Sequence, residues 1–261
     1  MKSKVLLRII LMLCITAVGV FGFLIVREFV VDGRSRGFYE GVSGSVERRP
    51  ESEGDSEVVG ADESDGSSSG EDDEWVPYVD FEALSVEFPG IVGWIRLEGS
   101  VLDYPVMQYS DNDRFLTHLP DGTYHRNGSI FLDYRNSSDF SDKSILIFGH
   151  ETRSGDMFGI LKNYRDQEFY NENPVMYLHS PYADYRLVLF AAHLAHSQRD
   201  HPPLYFEDDD EFLMYIDHLK NISLFKSDIT VDADDIIVSL CTCAYDFDEA
   251  RLVVVGVLTE Y

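Results

Sequence analysis

The sequence predicts a mainly β domain, a barrel or a sandwich, which follows an N-terminal membrane-spanning helix and an acidic linker. Three observations predict this arrangement: an uncharged apolar run near the N-terminus, an acid-rich stretch without basic residues, and a succession of short β-rich runs from Trp75 onward. Many strands with few helices between them favour mainly antiparallel β architecture over a doubly wound α/β sheet.

The first element is the apolar run Ile9–Val26, which contains no charged residue. At helical rise it is about long enough to cross the ~30 Å hydrocarbon core of a bilayer. Lys2, Lys4 and Arg8 precede it, so the excess of positive charge places residues 1–8 in the cytoplasm. No small-x-small cleavage site follows the run, which favours a retained anchor over a cleaved signal peptide. We therefore expect a transmembrane anchor at 9–26 and the rest of the chain outside the cell.

The second element, residues 27–74, is predicted to be a juxtamembrane segment and a disordered linker. Glu51–Glu74 holds 11 acidic residues, six serines, four glycines and no basic residue. Such a composition cannot bury enough apolar surface to fold. The linker therefore separates the anchor from a globular domain at 75–261.

The globular domain contains eight β-rich runs bounded by turn residues, and each run predicts a strand. They are Ile91–Leu97, Val101–Gln108, Ser129–Tyr134, Ser144–Gly149, Val175–His179, Tyr185–His193, Ile236–Cys243 and Arg251–Leu258. Three other segments have the apolar spacing of helices. They are Asp80–Phe88, Met157–Tyr170 and Asp209–Ile222.

Composition excludes several classes of function. The chain has 261 residues, with 47 acidic against 21 basic side chains and a net charge of −26, so it repels phosphate backbones and we expect no nucleic-acid partner. Only three cysteines are present, which fits neither a disulfide scaffold nor a four-thiolate zinc module. We expect no metal site and no cofactor.

Two of the cysteines stand at the end of a predicted strand, directly before a polar loop. Cys241 and Cys243 are two positions apart, so in an extended strand they share one face. A thiol at a strand end is well placed to meet a substrate. Two buried structural cysteines, or two ligands of a metal that needs histidines from elsewhere, are the alternatives. Spacing alone does not choose between the two thiols.

A cysteine nucleophile needs a partner that moves protons, and His150 has the best local context among the eight histidines. It closes the apolar run that begins at Ser144 and precedes a polar loop. Arg251 begins the strand after Cys243, and a hairpin would return its guanidinium beside the thiol, where it can stabilise an oxyanion. An arginine paired with acids of the intervening loop is the alternative. We interpret the other histidines as surface or satisfied core residues.

Five segments, in this order, resemble the sortases, membrane-anchored cysteine transpeptidases of Gram-positive bacterial surfaces, and look most like class B. The segments are Gly93-Trp94-Ile95, then Asp103–Gln108 with Asp111-Asn112, then Gly128–Asp133, then Phe148-Gly149-His150 with Met157-Phe158 and Leu161, and finally Ser239–Cys243 with Arg251. Each segment is weak by itself, whereas the ordered set is specific. The helix at Asp209–Ile222 agrees with an extra helix of class B.

The resemblance implies a closed β-barrel of about eight strands with peripheral helices, preceded by an N-terminal transmembrane helix. It assigns the catalytic histidine, cysteine and arginine to His150, Cys243 and Arg251, and thereby chooses Cys243 over Cys241. We expect Thr242 and Tyr245 to help bind the substrate and the oxyanion. The family motif begins with threonine where this chain has Ser239, a departure that touches none of the catalytic positions. No calcium requirement is implied for class B.

The implied function is a membrane-anchored transpeptidase that cleaves a C-terminal sorting signal of secreted proteins through a thioester at Cys243. The acyl group then passes to an amine of peptidoglycan or of its lipid-linked precursor, which anchors the protein to the cell wall. The alternatives are a pilin-polymerising sortase that uses a protein lysine, a hydrolytic cysteine peptidase, and a catalytically silent binding module. The expected location is the cell membrane, with the catalytic domain extracellular.

Overall fold

The protein is represented by a computed structural model that describes residues 2–45, 79–152, 154–196, 200–243 and 250–260. The predicted linker at Glu51–Glu74, together with Tyr245 and the acids of its loop, lies outside the described residues. The chain divides into two compact units, Met1–Gly44 and Ser45–Tyr261. The second unit holds all the strands named below.

The elements are numbered in chain order. The helices are α1 (Lys2–Ser45), α2 (Phe81–Glu87), α3 (Gln167–Glu172) and α4 (Asp209–Ile222), with 3₁₀ helices at Arg114–Leu116 and Phe158–Arg165. The strands are β1 (Ile91–Arg96), β2 (Asp103–Met107), β3 (Ile130–Leu132), β4 (Ser144–His150), β5 (Val175–His179), β6 (Asp184–His196), β7 (Ile236–Cys243) and β8 (Ala250–Glu260).

These strands form a closed barrel in the order β1-β2-β3-β4-β7-β8-β6-β5, with β5 pairing back to β1. Most neighbours are antiparallel, but β2 pairs with β3, and β4 with β7, in parallel. Closure gives each of these strands a neighbour on both sides, which removes the exposed edges of an open sheet. The mainly β prediction is therefore confirmed, and the structure selects the barrel over the sandwich.

Strand β4 is enclosed on all sides within this sheet. It lies between β3 and β7 and is buried along its whole length from Ser144 to His150. A strand that is buried on both faces has apolar residues at successive positions. Ile145–Phe148 is such an uninterrupted apolar run. His150 therefore ends a rigid strand at one end of the barrel.

The helix predicted over Met157–Tyr170 is wrong in one respect, because the structure divides it in two. The first part is the 3₁₀ helix that ends at Arg165, and the second is α3. Asp166 lies between them with extended dihedral angles, φ −105° and ψ 129°, and its carboxylate accepts the main-chain N–H of Glu168 at 2.7 Å. This aspartate caps the new helix, so the apolar spacing continues while the helix itself does not.

Helix α1 forms the first compact unit and runs without interruption from Lys2 to Ser45. It includes the segment Ile9–Val26 that the sequence predicts to cross the membrane. Across the described residues, no helix meets the combined requirement of length and apolar character for a membrane span.

Helix α4 begins and ends at the predicted residues. The Asp208 carboxylate accepts the main-chain N–H of Glu211 at 2.9 Å and so caps the helix, whose first turn is acidic as its dipole favours. Its apolar side chains Phe212, Ile216 and Leu219 are buried, and the helix packs on β6. The prediction succeeds here because capping, dipole and apolar spacing all agree.

His193 of β6 is an ionisable group whose pKa is shifted by this packing. It is only 7% exposed, and its Nδ1 has no hydrogen-bond partner among the described residues. It lines a cavity of about 320 Å³ together with Asp200, His201, Tyr215 and His218. Burial, helped by the nearby imidazole of His218, lowers the pKa of His193 to about 4, while the Asp200 carboxylate acts in the opposite direction. His193 is therefore neutral at pH 7.

We expect this histidine to make the fold sensitive to acid. Its pKa is lower in the folded than in the unfolded chain, so the unfolded chain binds more protons between about pH 6.5 and 4, and stability falls as pH falls through that range. Between pH 7 and 5 the free energy of unfolding should fall by about 2 kcal/mol from this group. Urea unfolding of the wild type and of His193→Gln at both pH values measures the difference. An equal fall in both proteins would contradict the assignment.

Candidate active site

Three neighbouring strands bring the predicted catalytic residues to one end of the barrel. His150 ends β4, Cys243 ends β7, and Arg251 is the second residue of β8. The parallel register pairs His150 directly with Cys243. Because neighbouring strands lie about 4.8 Å apart, these two positions, 93 residues apart in the chain, become next neighbours across the sheet. The barrel order β4-β7-β8 places the arginine strand on the other side of the cysteine strand.

The ring of His150 is held by a main-chain carbonyl. Its Nε2 lies 2.7 Å from the carbonyl oxygen of Leu116, the last residue of the first 3₁₀ helix, and the residue is 6% exposed. A carbonyl oxygen only accepts hydrogen bonds, so Nε2 carries a proton. In the neutral ring Nδ1 is then the basic nitrogen. The contact with Leu116 therefore fixes both the orientation and the tautomer of the imidazole.

The backbone around His150 is packed tightly against the second 3₁₀ helix. A Cβ at Gly149 would lie 2.7 Å from Cδ2 of Phe158, so only glycine allows this ring to sit against the end of β4. The loop that follows closes on itself, because Glu151 bridges to Met157 and the Thr152 hydroxyl donates to the Asp156 carbonyl at 2.7 Å. This arrangement fixes the chain on both sides of the histidine.

The two cysteines of β7 differ in their positions in the sheet. Cys241 pairs with Phe148 of β4 and with Val253 of β8, and its side chain is buried, 2% exposed. Its sulfur lies 3.8 Å from the carbonyl oxygen of Ser239. Cys243 stands at the last position of the strand, in register with His150. The structure thus places Cys241 inside the packed sheet and Cys243 at its end.

Thr242 connects the cysteine strand to the arginine strand. Its side chain is fully buried, and its hydroxyl accepts the main-chain N–H of Leu252 at 3.0 Å and donates to the carbonyl of the same residue at 3.2 Å. Leu252 is the neighbour of Arg251. The hydroxyl therefore helps to hold Cys243 and Arg251 in position. Any contact of Thr242 with an oxyanion would have to come from its main-chain N–H.

Arg251 pairs with Ala195 of β6, and its side chain is half-buried. The Nε atom is buried and finds no hydrogen-bond acceptor among the described residues. A buried guanidinium donor without an acceptor is costly. The Nε–H group of Arg251 is therefore well suited to donate a hydrogen bond to a substrate oxygen that becomes negative during the reaction.

The connection between β2 and β3 carries motif residues without a predicted chemical role. The Gln108 side-chain amide donates to the carbonyls of Asp133 at 3.0 Å and Asn136 at 2.7 Å, and the Asn112 amide donates to the Asp133 carboxylate at 3.1 Å. Burial alone would raise the pKa of Asp133, but hydrogen bonds from Arg135 and Asn112 outweigh it and hold the pKa below its ordinary value. These contacts tie down both ends of the connection that carries Leu116.

The carbonyl of Leu116 is the functional group that the sequence did not reveal. Every residue has a main-chain carbonyl, so no residue type marks the one that binds the imidazole. Gly128, the first residue of the Gly128–Asp133 motif, is a motif residue that packs against this carbonyl. By contrast, His179 is buried as expected, with Nδ1 2.7 Å from the Asp184 carboxylate.

Two known proteins are similar to this chain in sequence. The chain is 29% identical over 258 residues to sortase B of Staphylococcus aureus, covering 98% of each chain. It is 33% identical over 170 residues to sortase B of Listeria monocytogenes, covering 64% of this chain and 69% of the relative. No protein-family model matches the chain.

Solved structures give the same result. A Staphylococcus aureus sortase B–substrate complex has a TM-score of 0.67 and 32% identity, with 69% of this chain and 84% of that chain covered. A sortase B complexed with triglycine has a TM-score of 0.66 and 32% identity, with 69% and 85% covered. Sequence and fold agree, and the chain belongs to the class B sortases, which are cysteine transpeptidases.

Proposed function

We propose that Cys243 is the nucleophile of a transpeptidation on the C-terminal sorting signal of secreted proteins. Its thiolate attacks a backbone carbonyl carbon of the signal, a C–S bond forms, and the C–N bond breaks to leave a thioester. The observation that carries this proposal is the pairing of His150 with Cys243 across β4 and β7, with Arg251 on the adjoining strand. A substrate-bound structure of a similar enzyme supports a peptide substrate.

His150 acts as the general acid in this proposal. Its imidazolium donates a proton to the departing amine, while Nε2–H stays bound to the Leu116 carbonyl. Because Nε2 is already committed to Leu116, the proton moves through Nδ1. The neutral ring left after the first step can take the proton of the incoming amine in the second.

Arg251 binds the oxygen of the attacked carbonyl as it becomes negative. The buried Nε donor supports this role, because a tetrahedral oxyanion supplies the acceptor that the described residues do not. Main-chain N–H groups at Thr242 and Cys243 are further donors in the proposal, and Tyr245 helps to bind the signal.

The acceptor in our proposal is an amine of peptidoglycan or of its lipid-linked precursor. The amine attacks the thioester carbon, an amide bond forms, the C–S bond breaks, and Cys243 returns to its starting state. The complex of a similar sortase B with triglycine supports an amine-terminated acceptor. Transfer to the cell wall then anchors the secreted protein.

Product analysis tests the nature of the acceptor. The full chain in detergent micelles is incubated with a pool of peptides carrying sortase-type sorting signals, with triglycine, with a lysine peptide, or with neither. We expect an amide to triglycine and slow hydrolysis without an amine. Hydrolysis alone under every condition would establish a peptidase, and transfer only to the lysine peptide would establish a pilin-polymerising enzyme.

We also propose that residues 9–26 anchor the protein in the cell membrane, with residues 1–8 in the cytoplasm and the barrel outside. The support is the charge-free apolar run and the three basic residues before it. In bacterial cells the full chain should resist extraction from membranes by alkaline carbonate, whereas the chain from Trp75 onward should be released. Extraction of both would reject the anchor.

A further inference from the structure

Three successive carbonyl groups in the turn that carries Leu116 have different hydrogen-bond partners. The carbonyls on either side of Leu116 accept hydrogen bonds from the returning segment at 125–129. Ser129 N–H donates to Phe115 at 2.8 Å, and His125 N–H donates to Thr117 at 2.9 Å. The Leu116 carbonyl, between them, turns to His150, at 2.7 Å from Nε2. The position of the catalytic imidazole therefore depends on the packing of this turn.

Gly128 packs directly against that carbonyl. Its φ is +52°, and a Cβ built there would lie 2.2 Å from the carbonyl oxygen of Phe115 and 2.6 Å from that of Leu116. Both contacts are with main-chain atoms, which cannot move aside as a flexible side chain can. Any side chain at this position must therefore push both peptide groups, the one between Phe115 and Leu116 and the one between Leu116 and Thr117, away from the segment that leads into β3.

We propose that Gly128 is a positioning residue for His150, acting through the Leu116 carbonyl. The absence of a side chain at 128 lets the carbonyl reach Nε2, which fixes the tautomer in which Nδ1 exchanges the proton. The inference rests on the proposed role of His150 as the general acid. It extends that role to a backbone group and to a glycine that makes no contact with substrate in the proposed mechanism.

The expected effect is on turnover more than on substrate binding. A shift of a catalytic group by about 1 Å can cost about 100-fold in rate. In Gly128→Ala we therefore expect kcat to fall on the order of 100-fold. KM for the signal peptide should stay within about twofold, because the peptide contacts proposed for Arg251, Thr242, Cys243 and Tyr245 are unchanged.

The same loop offers a matched control. Gly122 also has a positive φ, +81°, but a Cβ there would meet only a side-chain atom, Nη2 of Arg114, at 3.4 Å. Gly122→Ala therefore also places a side chain at a positive φ, but without touching the Leu116 carbonyl. The full chain, Gly128→Ala and Gly122→Ala are compared by steady-state kinetics with one signal peptide and triglycine, after urea unfolding has shown that each variant is folded.

A spectroscopic readout separates positioning from general damage and does not depend on activity. Nitrogen-15 NMR of the histidine rings reports which nitrogen carries the proton, and the His150 signals are assigned by their loss in His150→Gln. We expect the Nε2-protonated tautomer in the wild type and in Gly122→Ala, and a mixture of tautomers in Gly128→Ala.

If Gly128→Ala does not fold, Ser129→Ala takes its place. It removes the Ser129 hydroxyl bond to the His118 carbonyl, 2.8 Å, which tightens the same turn, and should produce a smaller shift of the same His150 signals. Unchanged kcat and His150 signals in folded Gly128→Ala, or equal losses in Gly122→Ala, overturn the proposal. If the wild type has the Nε2-protonated tautomer but shows no acyl transfer, the result would instead count against the proposed function.

Discussion

We expect Cys243→Ala to abolish thioester formation and transfer, and Cys241→Ala to retain both. The expected difference follows from position. Cys243 ends β7 in register with His150. Cys241 lies two residues earlier in the strand, where it pairs with Phe148 and is 2% exposed. Thiol reactivity depends on access, and the sulfur of Cys241 is buried in the sheet. Transfer of a signal peptide to triglycine is the measurement.

The two substitutions are matched controls for each other, since both remove one sulfur from the same strand. We expect Cys241→Ala to lower the free energy of unfolding by about 1 kcal/mol, a common cost of a core substitution, and to leave the transfer rate within about twofold of the wild type. Loss of transfer in Cys241→Ala with transfer preserved in Cys243→Ala would reverse the assignment of the nucleophile.

We expect Arg251→Lys to lower kcat/KM for the signal peptide by about 100- to 1,000-fold, the range typical of the removal of one oxyanion donor. Lysine keeps the positive charge, so the loss of kcat/KM reports the contribution of the guanidinium donor geometry and not that of its charge. Its ammonium is a compact point charge on a flexible stem and cannot reproduce the planar fork of donors. The buried Nε, without an acceptor among the described residues, is the donor that the substitution removes.

Arg186→Lys is the matched control for this prediction. Arg186 lies near the start of β6, where it pairs with Thr259, and is separated along the strand from Ala195, the partner of Arg251. We expect its kcat/KM to stay within about twofold of the wild type. Near-normal turnover in folded Arg251→Lys would assign the arginine a structural role, in which it balances the acids of the neighbouring loop.

The sequence predicted those elements in which local signals agree. The bounds of β5, β7 and α4 were each predicted at their observed residues, because turn residues, alternation or capping marked both ends. The division of the 3₁₀ helix from α3 at Asp166 was missed, since apolar spacing continues through the break. Likewise, nothing in the β-rich runs indicated that β2 pairs with β3, and β4 with β7, in parallel.

The candidate site shows the same limit at the level of side chains. Residue type and local context selected His150, but the role of Arg251 and the choice between Cys241 and Cys243 came from the family resemblance. The register between β4 and β7 supplies the physical reason that spacing lacked, because it is Cys243 that pairs with His150 across the sheet. The Leu116 carbonyl was not predictable, since main-chain groups carry no signature in the sequence.

The most direct test of the central claim, acyl transfer through Cys243, is the intact mass of the full chain in detergent micelles after incubation with the signal-peptide pool. We expect an added mass equal to one peptide acyl fragment, released by hydroxylamine, in the wild type and in Cys241→Ala, and no adduct in Cys243→Ala. An adduct that persists in Cys243→Ala, or one that hydroxylamine does not release, would contradict a thioester at this cysteine.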